Sequence, residues 1–404
     1  MEAALIIEVL KKWNLWEKKI DTGIKREEYV NKIYSFMGRK EILVLKGIRR
    51  AGKSTIMKEL MAELVRKGIG KKSILYLNLE DYNFSGSLKI PLFEEVLAAY
   101  RNYAMNKGKV YFFIDEVQKI PDWEKWIRTK YDLGENIKFI ISGSSASLLS
   151  KELSTLLTGR NISFKIMPLS FKEFLIFNEK GKMDEYLMYG GFPEVVLEKS
   201  EDKKATLLRQ YFEDIIHKDI IDRYNIRNPK QLMDIAKYLV SNAGAKVSIN
   251  KLGKVFGLSK DTISAYTGYM IDAFLLLEVT AFSYSAKIKH DVSKLPKLYV
   301  MDNGLINVVN VKYAKERWRL YENAVLVKLA SGFDEVSYWA DTGSEVDFIA
   351  GSRAINVTAT DKIPDREFRG LEEFGKKHRQ FTHTIVTEAS TKGIMVSITD
   401  FLKE

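Results

Sequence analysis

The apolar positions of this chain follow two rhythms in turn. Continuous runs of strand length, Ile42–Leu45, Ile74–Leu77, Val110–Ile114 and Phe139–Ile141, are each followed by polar, acidic or glycine positions. Between them the spacing turns helical. Ile56, Met57 and Leu60 share one side of the first intervening segment, and further helices are expected through Ile90 to Met105 and around Trp123 to Tyr131. Unbroken apolar runs alternating with helices predict parallel strands buried on both faces. A last run, Ile162 to Ser170, closes the set, and residues 1–170 are assigned to an α/β domain with a parallel sheet.

The pattern then changes. Residues 171–227 read as mostly helical, a lid on the first domain, interrupted by YGGFPEVV (Tyr189 to Val196). Over 228–300 the pattern predicts one helix from Pro229 to about Asn242 and a short one from Ile249 to Phe256. The turn Gly257-Leu258-Ser259 leads to a third helix, with Ser259 as its N-cap. Strand-like residues follow at Leu275–Phe282 and Lys297–Met301, so three helices and a two-stranded wing spell a winged helix-turn-helix. Residues 301–404 turn to α+β: a helix from Tyr313 to Ala330, then strands EVSYWAD, EVDFIAG and AINVTAT.

Composition narrows the function classes. With 404 residues, 46% of them hydrophobic, the chain can build several cores. It has no cysteine, so disulfides and thiolate metal sites are excluded, and its four histidines show no metal-binding spacing. Neither a membrane-length apolar run nor a secretory leader is evident, and a cytoplasmic protein is expected. A net charge of +11 favours a nucleic-acid partner through counterion release. Richness in Lys, Glu, Ile and Tyr with only four glutamines is the bias of thermophilic proteins.

The candidate chemistry is concentrated after the first apolar run. Gly47-Ile48-Arg49-Arg50-Ala51-Gly52-Lys53-Ser54, followed by Thr55, has the spacing GxxxxGK[ST] between a strand and a helix. Backbone N–H groups of such a loop, with the helix N-terminus behind them, cradle phosphates. Lys53 is expected to neutralise β- and γ-phosphate charge, and Ser54 to hold Mg2+. Asp115 and Glu116 end the run VYFFIDE, where paired carboxylates are costly unless cations or water answer them. Asp115 is expected to orient hydrated Mg2+, and Glu116 to act as general base on the attacking water. Ser142, Ser144 and Ser145 end the next run, with Ser144 the preferred γ-phosphate sensor. Arg160 is the candidate to stabilise transition-state charge, in cis or from a neighbour. Arg49 and Arg50 could reach phosphate, a neighbouring subunit or DNA.

GIRRAGKST, FFIDEVQ, IISGSSASLLSKELSTLLTGR, PLSFKEFL and YGGFPEV, in this order, resemble the archaeal and bacterial AAA-type ATPases that carry a C-terminal restriction-endonuclease-like domain. The resemblance runs from about residue 25 to 400. It implies a P-loop domain of the additional-strand class with Glu116 catalytic, a central winged helix and a nuclease-type fold at the end. Together with the composition it suggests an archaeal, thermophilic source. Nucleases of that type need a helical glutamate, a strand aspartate and Glu-x-Lys on the adjoining strand. Glu322 and Asp347 stand in matching places, but Asn356-Val357-Thr358 replaces Glu-x-Lys, so a domain that does not cut is expected unless Lys362 or Lys328 takes over the cationic role. On the winged helix, Lys260, Tyr266, Lys287 and Lys289 are the candidate DNA contacts, and Thr267 is taken as exposed.

These features predict an ATP-binding, Mg2+-dependent ATPase, associated with DNA and homo-oligomeric, that remodels or moves on DNA. Two readings stay open beside it. One is an ATP-driven switch that binds a protein partner. The other is an ATP-dependent nuclease.

Overall fold

The structure, a computed structural model, describes every residue except 19, 106–107, 145–156, 284–293, 310–316, 342, 361 and 390–391. The chain divides into two compact units, Met1–Ile166 and Met167–Glu404. In the first, helices α1 (Ala3–Trp13) and α2 (Glu27–Tyr34) precede strand β1 (Ile42–Gly47). Then come α3 (Lys53–Arg66), β2 (Ile74–Asn78), α4 (Pro91–Ala104), β3 (Val110–Asp115), α5 (Trp123–Asp132), β4 (Ile137–Ser144) and β5 (Asn161–Lys165).

All five strands are parallel, in the order β2-β3-β4-β1-β5. Their apolar residues are buried toward helices on both sides, as parallel sheets require. The order matters because β4 lies between β1 and β3, the strands that lead into the glycine loop and the acidic pair. The run expected to reach Ser170 is strand only as far as Lys165, since Pro168 has no N–H for a ladder. The outer edge of β2 is covered by side chains. Asn14 donates to Tyr76 O at 2.9 Å and accepts from Tyr76 N at 2.7 Å, and Trp16 Nε1 donates to Ile74 O at 2.8 Å.

In the second unit, α6 (Phe171–Phe177) starts with a capping box in which Ser170 and Glu173 each bond the other's backbone N–H. It is followed by α7 (Met183–Tyr189), α8 (Pro193–Leu197) and α9 (Glu201–Asp214), which continues into a π-helical stretch, Ile215–Ile221. Three helices come next: α10 (Pro229–Ser241), α11 (Ile249–Phe256) and α12 (Lys260–Asp272), the last capped by Ser259. Strands β6 (Leu276–Ala281) and β7 (Lys297–Val300) form an antiparallel hairpin. After α13 (Asn303–Val309) and α14 (Arg317–Gly332) come β8 (Val336–Asp341), β9 (Ser344–Ala350), β10 (Arg353–Val357), α15 (Asp365–Lys377), β11 (Thr382–Thr387), β12 (Met395–Ser397) and α16 (Ile398–Lys403).

These strands form one seven-stranded sheet, β12-β11-β10-β9-β8-β6-β7. The parallel pairing of β6 with β8 carries the sheet across residue 300, where the sequence pattern changes. The YGGF turn is gripped by a buried acid from the far side of that point. Asp302 accepts from Gly191 N at 2.7 Å and Gly304 N at 2.8 Å, and burial pushes its carboxyl up to about 7. Asn307 caps the turn, donating to Leu187 O at 3.0 Å and Met188 O at 2.7 Å.

A methyl group on Gly190, whose φ is +71°, would come within 1.8 Å of Asp302 Oδ1, and the carboxylate, pinned by two N–H groups, cannot swing away. Gly190→Ala is therefore expected to cost about 2–5 kcal/mol, combining left-handed backbone strain with overpacking. Gly257→Ala, with φ +65° and open space around the added carbon, should cost only ~1–2 kcal/mol. Urea unfolding of the two variants ranks them, and equal losses would mean that the clasp yields.

Candidate active site

The glycine loop connects β1 to α3 at the carboxyl edge of the parallel sheet. Gly47 is required by close approach, because a Cβ there would lie 2.1 Å from Ile166 O. Ile166 N in turn donates to Lys46 O at 2.7 Å, which presses the chain leaving β5 against the start of the loop. Arg50 (φ +67°) and Gly52 (φ +93°) turn the backbone in the left-handed region. Buried Lys53 bends back under the loop and donates to Gly47 O at 2.9 Å and Ile48 O at 3.1 Å. Arg26, which no motif marks, holds the loop from outside. Its Nη1 donates to Ala51 O at 2.9 Å, and its backbone N–H donates to Glu59 of α3 at 3.2 Å. Arg49 lies 3.8 Å from Glu80, Arg50 and Thr55 are exposed, and Ser54 is half-buried in the first turn of α3.

Asp115 and Glu116 meet this loop across the end of β4. Both Asp115 oxygens accept from neighbouring strands: Oδ2 from the Tyr76 hydroxyl of β2 at 2.5 Å, and Oδ1 from the Ser142 hydroxyl of β4. Burial, reinforced by Asp115, drives the Tyr76 phenol well above its ordinary range, so it stays a donor. Glu116 is 8% exposed and sits at φ +56°, a left-handed conformation that costs a non-glycine residue ~1–2 kcal/mol. Strain of this kind gathers where side-chain direction matters. Here it turns the carboxylate to Gln118, whose Nε2 donates to Glu116 and, at 3.3 Å, to Ser144. Gln118 Oε1 is buried with no partner among the described residues. Burial raises the Glu116 pKa; Asp115 and Glu80 add to the rise, while Lys53 and Gln118 oppose it. Ser144 is in register with Gly47, so the expected sensor does stand beside the loop, whereas Ser145 lies outside the described residues.

Arg160, expected to act in cis or from a neighbour, stands elsewhere. Its carbonyl accepts from Ile42 N at 2.8 Å, at the start of β1, and its guanidinium pairs with Asp132 at 2.9 Å. The length of β1, about 16 Å at the usual rise per residue, separates it from its own loop. Of the proposed DNA contacts, Lys260 is exposed and Tyr266 half-buried on α12, while Lys287 and Lys289 lie outside the described residues. Thr267 is buried rather than exposed, donating to Ile263 O at 2.8 Å.

Glu322 of α14, Asp347 of β9 and Thr358 line a second cleft, of about 450 Å³, with Glu345, Glu367 and Lys297. Asn356 is turned into the backbone: it accepts from Asp347 N at 3.0 Å and donates to Glu367 O at 2.9 Å. Burial and the neighbouring Asp347 push Glu322 up to about 7, although Lys297 and the Tyr299 hydroxyl, 2.5 Å away, oppose the rise. Burial also raises Asp347. For Lys297 burial acts downward, but Asp347, Glu322 and Glu345 outweigh it and hold the ammonium above its ordinary range. The buried cation in this cleft is thus Lys297, and Lys246 and Arg366 also line it. Neither Lys328 nor Lys362 lines it.

Residues 39–175 match the AAA domain family, and residues 180–315 match a domain family of unknown function. A protein of Haemophilus influenzae described as uncharacterized is 33% identical over 358 residues, covering 85% of this chain and 88% of that protein. An uncharacterized protein of Methanocaldococcus jannaschii is 32% identical over 333 residues, covering 76% of this chain and 72% of that protein. Among solved structures, AMPPCP-bound DnaA from Aquifex aeolicus matches with a TM-score of 0.31 and 16% identity, over 64% of this chain and 91% of that one.

The buried Tyr76–Asp115 bond gives a direct test of the site's construction. Tyr76→Phe removes a donor from a buried carboxylate, and urea unfolding at neutral pH should show a loss of ~1.5–3 kcal/mol. A loss under about 0.5 kcal/mol, within the range of an ordinary surface change, would mean that Asp115 does not depend on this hydroxyl.

Proposed function

This chain belongs to one family with the Haemophilus and Methanocaldococcus proteins and carries the AAA domain, and on that premise we propose that it binds ATP and hydrolyses it to ADP and phosphate. The observation that carries this reading is the meeting, at one sheet edge, of the Lys53 loop, the buried Asp115–Glu116 pair and Ser144. Backbone N–H groups from Gly47 to Lys53 receive the phosphates, and Lys53 leaves its two carbonyls to neutralise them. Ser54 and Asp115 are the oxygen donors that fit Mg2+, and Mg2+, when bound, draws charge from the transferred phosphoryl group. Glu116, aimed by its strained backbone and held by Gln118, takes the proton of the attacking water. Gln118 Oε1 gives that water a second acceptor, and Ser144 reads the γ-phosphate.

Arg160, distant from its own loop, serves a neighbouring subunit's nucleotide, which makes the working form a homo-oligomer. Hydrolysis is coupled to remodelling of, or movement on, DNA, supported by the net charge of +11 and by exposed Lys260 at the start of α12. One observation favours a protein partner instead. Exposed Lys260 is followed directly by exposed Asp261, and Tyr269 of the same helix is stacked on Tyr224 at 3.7 Å, so α12 offers little positive surface to phosphates.

Steady-state ATP hydrolysis at high temperature, with and without duplex, single-stranded and branched DNA, tests these readings. Lys53→Ala should lose nucleotide binding, whereas Glu116→Gln should keep it and lose roughly 10²–10⁴-fold in turnover. Stimulation by DNA supports the DNA-linked reading; equal rates with every DNA favour the protein switch. Wild-type turnover no faster than Glu116→Gln would refute ATPase function.

A further inference from the structure

A nuclease of the type that the C-terminal sequence resembles holds a divalent metal on carboxylates, so the donor set in the second cleft tests whether such an ion fits. Two of its members have withdrawn. Asn356 spends both ends of its amide on backbone groups, and Thr358 brings no charge. What remains is already in contact with the chain's own cations. Lys297 Nζ lies 2.7 Å from Glu345 Oε1, 3.4 Å from Glu322 Oε1 and 3.6 Å from Asp347 Oδ1. The other Glu345 oxygen is 2.7 Å from Lys246 Nζ, and Glu367 pairs with Arg366 at 3.0 Å. Lys297 is 5% exposed. No group of three or more acidic or histidine side chains is arranged to hold a metal among the described residues.

We propose that Lys297 is the resident cation of this cluster: its ammonium stands among the carboxylates that would otherwise hold a metal, and fastens β7 to α14 and β9. A divalent ion entering here would have to drive a buried ammonium away from all its counter-charges, which is strongly unfavourable. The cleft therefore stays closed to Mg2+ and does not cut DNA. Its carboxylates serve as an ionic bolt between Lys297, Glu322 and the Glu345/Asp347 pair, segments far apart in sequence. This proposal stands apart from the ATPase reading, since it involves none of the glycine-loop residues.

Mn2+ titration of the full-length, nucleotide-free chain, followed by electron paramagnetic resonance, tests it with wild type, Asp347→Asn, Lys297→Met and the double variant. Wild type and Asp347→Asn should bind Mn2+ alike, with no equivalent dependent on Asp347. Lys297→Met should gain about one equivalent, lost again in the double variant, and Mn2+ should raise its thermal midpoint more than that of wild type. An Mn2+ equivalent in wild type that vanishes in Asp347→Asn overturns the proposal. So does Mg2+-dependent plasmid nicking that this variant abolishes, or a folded Lys297→Met protein with no gained site. If Lys297→Met does not fold, wild type against Asp347→Asn decides alone.

Discussion

A carboxylate taken out of water must be answered by a cation or by donors, and most of what is distinctive in this molecule follows from how that is done. At the parallel sheet Asp115 is answered by two hydroxyls and Glu116 by an amide. Lys53, the nearby cation, is occupied with backbone carbonyls. That arrangement sets the acidic pair beside the glycine loop. In the C-terminal sheet the answer is an ammonium seated among three carboxylates. The first cluster is held by neutral donors, and the second by a cation of the chain itself.

Sheet order makes the first arrangement possible. Because β4 lies between β1 and β3, its terminal residues reach both neighbours, Ser142 toward Asp115 and Ser144 beside Gly47. Gln118, just beyond β3, completes the link by bonding Glu116 and Ser144 together. Ser144, in register with Gly47, is thus two hydrogen bonds from Glu116.

What the sequence made legible was whatever depends on local spacing. The loop Gly47–Thr55 and the pair Asp115–Glu116 announce themselves because glycine positions, strand ends and adjacent charges are all close in the chain. Tyr76, Arg26 and Lys297 gave no such sign. Their roles depend on which strand lies beside which, and periodicity carries no such information. Gln118 was in view two residues after Glu116, but only the left-handed turn at Glu116 brings the two side chains together. Whether Arg160 serves its own loop or a neighbour's was not legible, because its nearness in sequence to Ser144 hides the return of the chain to the opposite edge of the sheet. The helix–hairpin pattern before residue 300 was readable as a unit, while its fusion into the following sheet through β6 and β8 was not.

The N-terminal segment has a consequence beyond its packing. Asn14 pairs with Tyr76 much as a residue of an adjoining strand would, and Trp16 occupies the carbonyl two residues back. An unprotected border of this kind is a template on which other chains can extend, the route to fibrous association. Two side chains close that route for β2 without adding a sixth strand, so copies of this protein do not gather by lengthening this border of the sheet.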